Sequence, residues 1–372
     1  MTKAKNLRII GTMLVVLIWL AVVVVAWVSP SKDISTAERR PLAQMPDLSL
    51  ESIWKGEFVQ EFEDYTLDQF PMRDSVRQIK SIFHYYVLQQ KDNNDIYIAN
   101  GHAVKMEYPL NQASLDNANA RFEKIYNKYL KNSNTKNYIS VIPDKGYYAH
   151  NIGDHLAMDY AALFENIKTE NEWATYIDIK STLNLNSFYT TDTHWRQEKI
   201  NTTAWTLYFA MNSDAEMDAY DGDGHVNEVN KPFYGVYYGQ AALPLKSEVM
   251  YYLTNDTINE CTVFDYETNK EIAIYDETAV DSKDLYDYYL SGAKALLKIT
   301  NPKATSDKEL IIFRDSFGSS IAPLLIQTYK SVTLVDIRYI NSDMLGNFIK
   351  FADQDVLFLY STSVLNNSYT LK

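Results

Sequence analysis

Leu310-Ile311-Ile312-Phe313-Arg314-Asp315-Ser316-Phe317-Gly318 is an apolar run that stops at a charged pair, a serine and a glycine. A short run of β-branched and aromatic residues bounded by breakers predicts a buried strand. The small residues after it predict a helix from Ser316 to Tyr329. Working outward, Leu296–Ile299, Val332–Ile337 and Val356–Tyr360 read as further strands, and Asp343–Phe351 as a helix. Upstream, Tyr138–Ile142 is another short apolar run, the pattern of a parallel strand buried on both faces. Asn111–Lys131 places Leu115, Phe122, Ile125, Tyr126 and Tyr129 on one helical face. Strands alternating with helices predict an α/β fold with a doubly wound parallel sheet. In such sheets ligands gather at the carboxyl ends of the strands. Lys145, which follows Tyr138–Ile142, therefore has two readings, a site-facing lysine or a solvated loop lysine. Ser316 falls at a strand-to-helix turn, where a helix N-terminus helps stabilise a developing oxyanion.

A serine in that position becomes a nucleophile only if a base reaches it. Thr191-Asp192-Thr193-His194-Trp195 supplies a carboxylate two residues from an imidazole, with an indole beside it. At a strand end, residues i and i+2 point to the same face, so Asp192 can orient His194. An acid, a base and a nucleophile in hydrogen-bond reach make an activated serine. Each half taken alone is also what an ordinary capping pair or turn serine looks like.

The chain has 372 residues, 46% of them hydrophobic, enough for a large core in one or two domains. A net charge of -13 and a pI near 5.0 exclude nucleic acid as the main partner, since phosphate binding wants a basic face. The 29 tyrosines suit both core filling and stacking on sugars. The single cysteine, Cys261, excludes an intrachain disulfide framework.

Ile9–Val28 carries no charge and is long enough to span the hydrocarbon core. Lys3, Lys5 and Arg8 precede it, which predicts a cytoplasmic N-terminus and an outer location for the rest. The rival reading is a cleaved signal peptide, but Val24-Val25-Ala26-Trp27 matches a cleavage site poorly. The expected organisation is a tail over 1–8, an anchor over 9–28, a polar linker over 29–47 and one extracytoplasmic domain over 48–372. Within that domain 48–88 reads as a helical collar. Short alternating runs from Ser247 to Tyr275 predict a small β-rich insertion at about 212–285. Asp221-Gly222-Asp223-Gly224 has half the look of a calcium loop, but the first and twelfth ligand positions fall on Ala219 and Asn230. It reads as an acidic turn, and no metal site is expected.

Thr191–Trp195, Arg314-Asp315-Ser316-Phe317 and Asp336-Ile337-Arg338-Tyr339 together resemble the DHHW protein family. That family is similar to the alginate acetyltransferase proteins AlgX and AlgJ, of SGNH-hydrolase-like fold. Glu38-Arg39-Arg40-Pro41, Asp68–Arg73 and Pro143-Asp144-Lys145 extend the resemblance over nearly the whole extracytoplasmic chain. It implies a triad in the order Asp192, His194, Ser316, and O-acetylation of an exopolysaccharide or cell-wall glycan. Arg338, Tyr339, Gly292, Lys145 and Trp195 become the substrate or oxyanion candidates. Thr193 departs from the family's Asp-His-His-Trp, and Arg314 stands where the usual SGNH motif has glycine. The chemistry needs no cofactor. The resemblance further implies a membrane-bound O-acyltransferase partner that brings the acetyl group to the outer face. A carbohydrate acetylesterase, with water as acceptor, and a non-catalytic glycan-binding protein are the alternatives.

Overall fold

The computed structural model describes residues 2–212 and 224–372, so the acidic turn around Asp221 lies largely outside the described residues. The chain divides into two compact units, 1–90 with 242–244, and 91–241 with 245–372. The segment 48–90 thus belongs with the N-terminal unit.

Among the described residues one helix, α1 (Thr2–Val28) of the first unit, contains an apolar stretch, Asn6–Val28, long enough to cross a membrane. The expected collar is three helices, α2 (Leu50–Lys55), α3 (Glu57–Asp68) and α4 (Arg73–Ile82), the last extended by a π-turn over Phe83–Val87. Ser49 caps α2 through the Ser52 amide, and Gly56 ends it at φ 76°, a left-handed conformation that glycine adopts without strain.

In the second unit the described strands of the main sheet are β1 (Lys136–Ile142), β2 (Thr175–Tyr176), β3 (Thr262–Asp265), β4 (Lys270–Ile272), β5 (Leu296–Thr300), β6 (Glu309–Arg314), β7 (Ser331–Val335) and β8 (Asp355–Ser361). Their order across the sheet is β4-β3-β5-β7-β6-β8-β1-β2. Strands β7, β6, β8, β1 and β2 are parallel. Strands β5, β3 and β4 add an antiparallel edge. The fold is therefore mixed α/β with a large parallel-rich sheet. Strand β5 could not join the parallel set, because the connection 301–308 to β6 is shorter than the roughly dozen residues a parallel crossover needs. Part of the expected insertion, 262–272, is this sheet edge. The separate excursion is the antiparallel pair His225–Phe233 and Glu248–Thr254.

Alternate residues of each strand feed opposite faces. Ile311 and Phe313 pack with Leu115 and Phe122 of α5 (Gln112–Ile125) and Leu163 of α6 (Tyr160–Glu170), while Leu310 and Ile312 pack with Ala204 and Leu207 of α7 (Asn201–Met211). Two covered faces explain why these strands read as unbroken apolar runs. The helix after Ser316 is shorter than expected, Gly318–Leu325, followed by a 3-10 turn. Pro323 lies inside this helix, where its missing N–H leaves the Ser319 carbonyl without its usual helical donor. The expected helix over 343–351 is only a 3-10 turn, Ser342–Asn347, in a segment where Gly346 and Asn347 are weak helix formers.

Candidate active site

The parallel strands β1, β6, β7 and β8 all end at one edge, and three carboxylates stitch those ends together. Asp144, after β1, accepts from the Thr362 hydroxyl beyond β8 (2.6 Å) and from the Tyr160 hydroxyl (2.7 Å). Asp315, after β6, accepts from the Ser361 amide of β8 at 2.7 Å and from the Phe317 amide at 3.0 Å. Asp336, after β7, holds Arg338 through two bonds of 2.9 and 2.6 Å and lies 3.6 Å from the fully buried Arg314 guanidinium. Arg314 thus fills the place of the expected glycine by turning under the serine loop. Gly318 makes room for it, because a Cβ there would lie 2.7 to 3.0 Å from the Arg314 side chain.

Ser316 sits in this edge, half-buried, and His194 reaches it from the other part of the sequence. The Ser316 hydroxyl lies 2.7 Å from His194 Nε2, and His194 Nδ1 lies 2.6 Å from Asp192 Oδ1. The loop holding the pair is closed by a bridge between Phe188 and Trp195 and by the Tyr189 amide donating to the His194 carbonyl. It is a turn rather than the expected strand end. Asp192 Oδ1 also accepts the His194 backbone amide at 3.1 Å, the local bond two residues on that makes aspartate a turn former. Asp192 Oδ2 accepts the Val236 amide at 2.9 Å. Asp192 is fully buried and ionised aspartate can only accept, so the imidazole proton sits on Nδ1 and Nε2 is the acceptor facing Ser316.

Of the remaining candidates, Lys145 is not a solvated loop lysine. It is buried, its Nζ donates to the Tyr189 carbonyl at 3.0 Å, and it stands 4.8 Å from the centre of the Tyr237 ring. Burial lowers its pKa to about 7, with Asp192, Glu248 and Asp144 pulling the other way. The lysine therefore braces the backbone just before Asp192. Trp195 is fully buried and packs edge-on against Phe317, with Nε1 donating to Ser320 Oγ at 2.8 Å, so it supports the turn and presents no surface to a ligand. The Gly292 amide donates to the Tyr289 carbonyl at 3.2 Å, which commits it away from an oxyanion. Arg338 and Tyr339 follow β7, beside the strand that carries Ser316, with the Arg338 guanidinium 5.5 Å from the half-exposed Tyr339 ring.

Three supports escaped the sequence. Tyr286 stacks flat on His194, centroids 3.7 Å apart and planes 8° off parallel, with its hydroxyl 2.7 Å from Ser320 Oγ. Glu248 accepts the Thr190 and Thr191 amides at 2.8 and 2.9 Å. Gly235 lies against the backbone of Thr191 and Asp192 so closely that a Cβ would meet them at 2.3 Å. The glycine-punctuated stretch Phe233–Gly239 was the one signal available for the last. Nothing marked Tyr286 among the other tyrosines.

Among solved structures, a DHHW family protein from Eubacterium siraeum is similar with a TM-score of 0.59 at 18% identity, over 75% of this chain and 95% of that one. The chain has the DHHW-protein fold. Bacillus cereus PatB1 with a sulfonyl adduct shares this DHHW-like architecture with a TM-score of 0.57 at 17% identity, over 73% of this chain and 95% of that one. The O-acetyltransferase domain of Pseudomonas putida AlgJ superposes more loosely, with a TM-score of 0.44 at 11% identity, over 73% and 92%. No protein-family model matches the sequence, and no curated protein matches it.

Proposed function

We propose that this protein is a serine acyltransferase that O-acetylates a cell-surface or exported glycan. The observation that carries the reading is the continuous line of hydrogen bonds from Asp192 through His194 to Ser316. The Ser316 hydroxyl gives its proton to His194 Nε2 as Oγ attacks the acetyl carbon of the donor. The tetrahedral intermediate collapses, and the imidazolium returns that proton to the leaving group, which leaves acetyl-Ser316. A sugar hydroxyl then gives its proton to Nε2 and attacks the acyl carbon, and Ser316 departs with the proton. Asp192 keeps Nδ1 protonated and stabilises the imidazolium throughout. With water as acceptor the same steps make an esterase. The resemblance of the Asp192, His194 and Ser316 motifs to the DHHW family implies acetyl transfer, and the apolar helix supports work at a membrane. On this reading Asn6–Val28 is an uncleaved anchor, Lys3, Lys5 and Arg8 keep the N-terminus inside, and a membrane-bound acyltransferase supplies the acetyl group.

The test is covalent and functional together. An aryl sulfonyl fluoride should label Ser316 and stop turnover of a chromogenic acetyl ester, and Ser316→Ala should abolish both. Transfer from that ester to glycan acceptors above the rate of hydrolysis separates transferase from esterase. A folded Ser316→Ala protein with wild-type turnover would remove the serine from the mechanism and leave the glycan-binding reading.

A further inference from the structure

The collar helix α4 is built inside out. Its inward face carries Arg73, Arg77 and Ser81, and the two arginines engage Glu38 at 2.5 and 3.0 Å. Arg73 also meets Asp68 at 3.1 Å, and Asp68 is held by Arg40 at 2.6 Å. This ion-pair cluster draws Asp68 down to a pKa of about 2, chiefly through the Arg40 hydrogen bond. The outward face is apolar. Met72, Val76, Ile79, Phe83 and Val87 follow at helical spacing on one stripe and are all exposed, Met72 and Ile79 at 78% and 68%. A water-facing helix normally turns its apolar stripe to the core and its charges outward. This one has the orientation of a helix with an apolar medium outside.

The position of the stripe identifies that medium. Lys32 and Gln69 exchange two hydrogen bonds of 2.9 Å, and the Ser31 and Tyr65 hydroxyls meet at 3.3 Å. Residues 31 and 32 lie just beyond Val28, where the apolar span ends. The end of α3, and with it the Met72 start of the stripe, is therefore pinned to the point where the chain leaves the bilayer. In α2, Leu50, Ile53 and Trp54 repeat the pattern at spacings of three and one, with Trp54 93% exposed. Tryptophan and tyrosine are the residues that favour the membrane–water boundary.

We infer that the collar, 50–88, rests its apolar stripe on the lipid surface next to the anchor, as an interfacial helix does. The inference rests on the reading of Asn6–Val28 as a spanning helix. It gives the ion-pair cluster a role: charges that would be costly to bury in lipid are neutralised among themselves on the side away from it. The occupant is lipid itself, so a neighbouring protein or a second copy of the chain stands as the competing result.

The test uses the full chain in lipid nanodiscs. Cys261, the one native cysteine, is replaced by serine so that each introduced cysteine is the labelled thiol. An NBD probe is placed by Ile79→Cys, Phe83→Cys and, inside the span, Val22→Cys. Lipids carrying a nitroxide near the headgroup should quench the probes at 79 and 83 several-fold more than aqueous iodide does. Strong iodide quenching with no nitroxide quenching places the stripe in water and overturns the inference. Protection from both quenchers means that protein covers the stripe, and also overturns it. Carbonate extraction and the Val22 probe report on the span separately. A released chain with an unquenched Val22 probe overturns the anchor reading, whereas a quenched Val22 with unquenched 79 and 83 overturns the collar alone.

Discussion

Gly235→Ala tests whether the triad depends on the backbone packed behind it. A Cβ at 235 would stand 2.3 Å from the Thr191 carbonyl oxygen and from Asp192 Cβ, and 2.4 Å from Asp192 Cα. These are backbone or backbone-bound atoms, so no side chain can swing away. Ordinary contact begins near 3.4 Å, so the two segments must separate by about 1 Å. That motion stretches the Val236 amide bond to Asp192 Oδ2 and the Gly235 amide bond to Thr191 Oγ1, both 2.9 Å. Asp192 would then no longer hold the imidazole plane against Ser316. A displacement of about 1 Å in a catalytic group costs on the order of 100-fold, or about 2.7 kcal/mol of barrier. Overpacking should cost a further ~1–3 kcal/mol of stability. The assay is kcat/KM for a chromogenic acetyl ester, with thermal unfolding measured alongside. Gly346→Ala, where the nearest atom is a tyrosine ring carbon at 3.2 Å, is the control and should leave turnover unchanged. A folded Gly235→Ala protein with wild-type kcat/KM would refute the link between this contact and the orientation of His194.

Asp192→Asn keeps the shape but offers an N–H to Nδ1, which forces the proton to Nε2 and removes the acceptor facing Ser316; turnover should fall by ~10³–10⁴, and a loss under tenfold would contradict the tautomer argument. Tyr286→Leu should lower kcat by up to about tenfold through loss of the stack on His194, while Tyr286→Phe, which keeps the ring, should retain most of it; equal losses would assign the effect to the Ser320 bond instead. For Lys145, burial holds the folded pKa at about 7, below its unfolded value, so between these two values the unfolded chain binds the extra proton. Stability should therefore rise with pH across that window, and the rise should be smaller in Lys145→Met. Urea midpoints at about pH 7 and about pH 9 measure it, and parallel shifts in the two proteins would show that the lysine titrates normally.

The sequence by itself determined the parallel half of the sheet, because strands covered on both faces must be apolar at every position, as Leu310–Phe313 and Val356–Tyr360 are. It also supplied the identities of Asp192, His194 and Ser316, since residue type and local spacing are one-dimensional facts. It carried the apolar span as a plain run of uncharged residues. What it could not carry was anything set by packing between distant segments. The antiparallel turn of β5 followed from where the chain had to go next. The burial of Lys145 and Trp195 followed from which elements close over them, which no local pattern encodes. The stacking of Tyr286 on His194 joins residues 92 positions apart among many equivalent tyrosines. The outward stripe of α4 has the same periodicity as a core-facing one. Only the ion pairs of Arg73 and Arg77 with Glu38, on the opposite side of the helix, decide which way it faces.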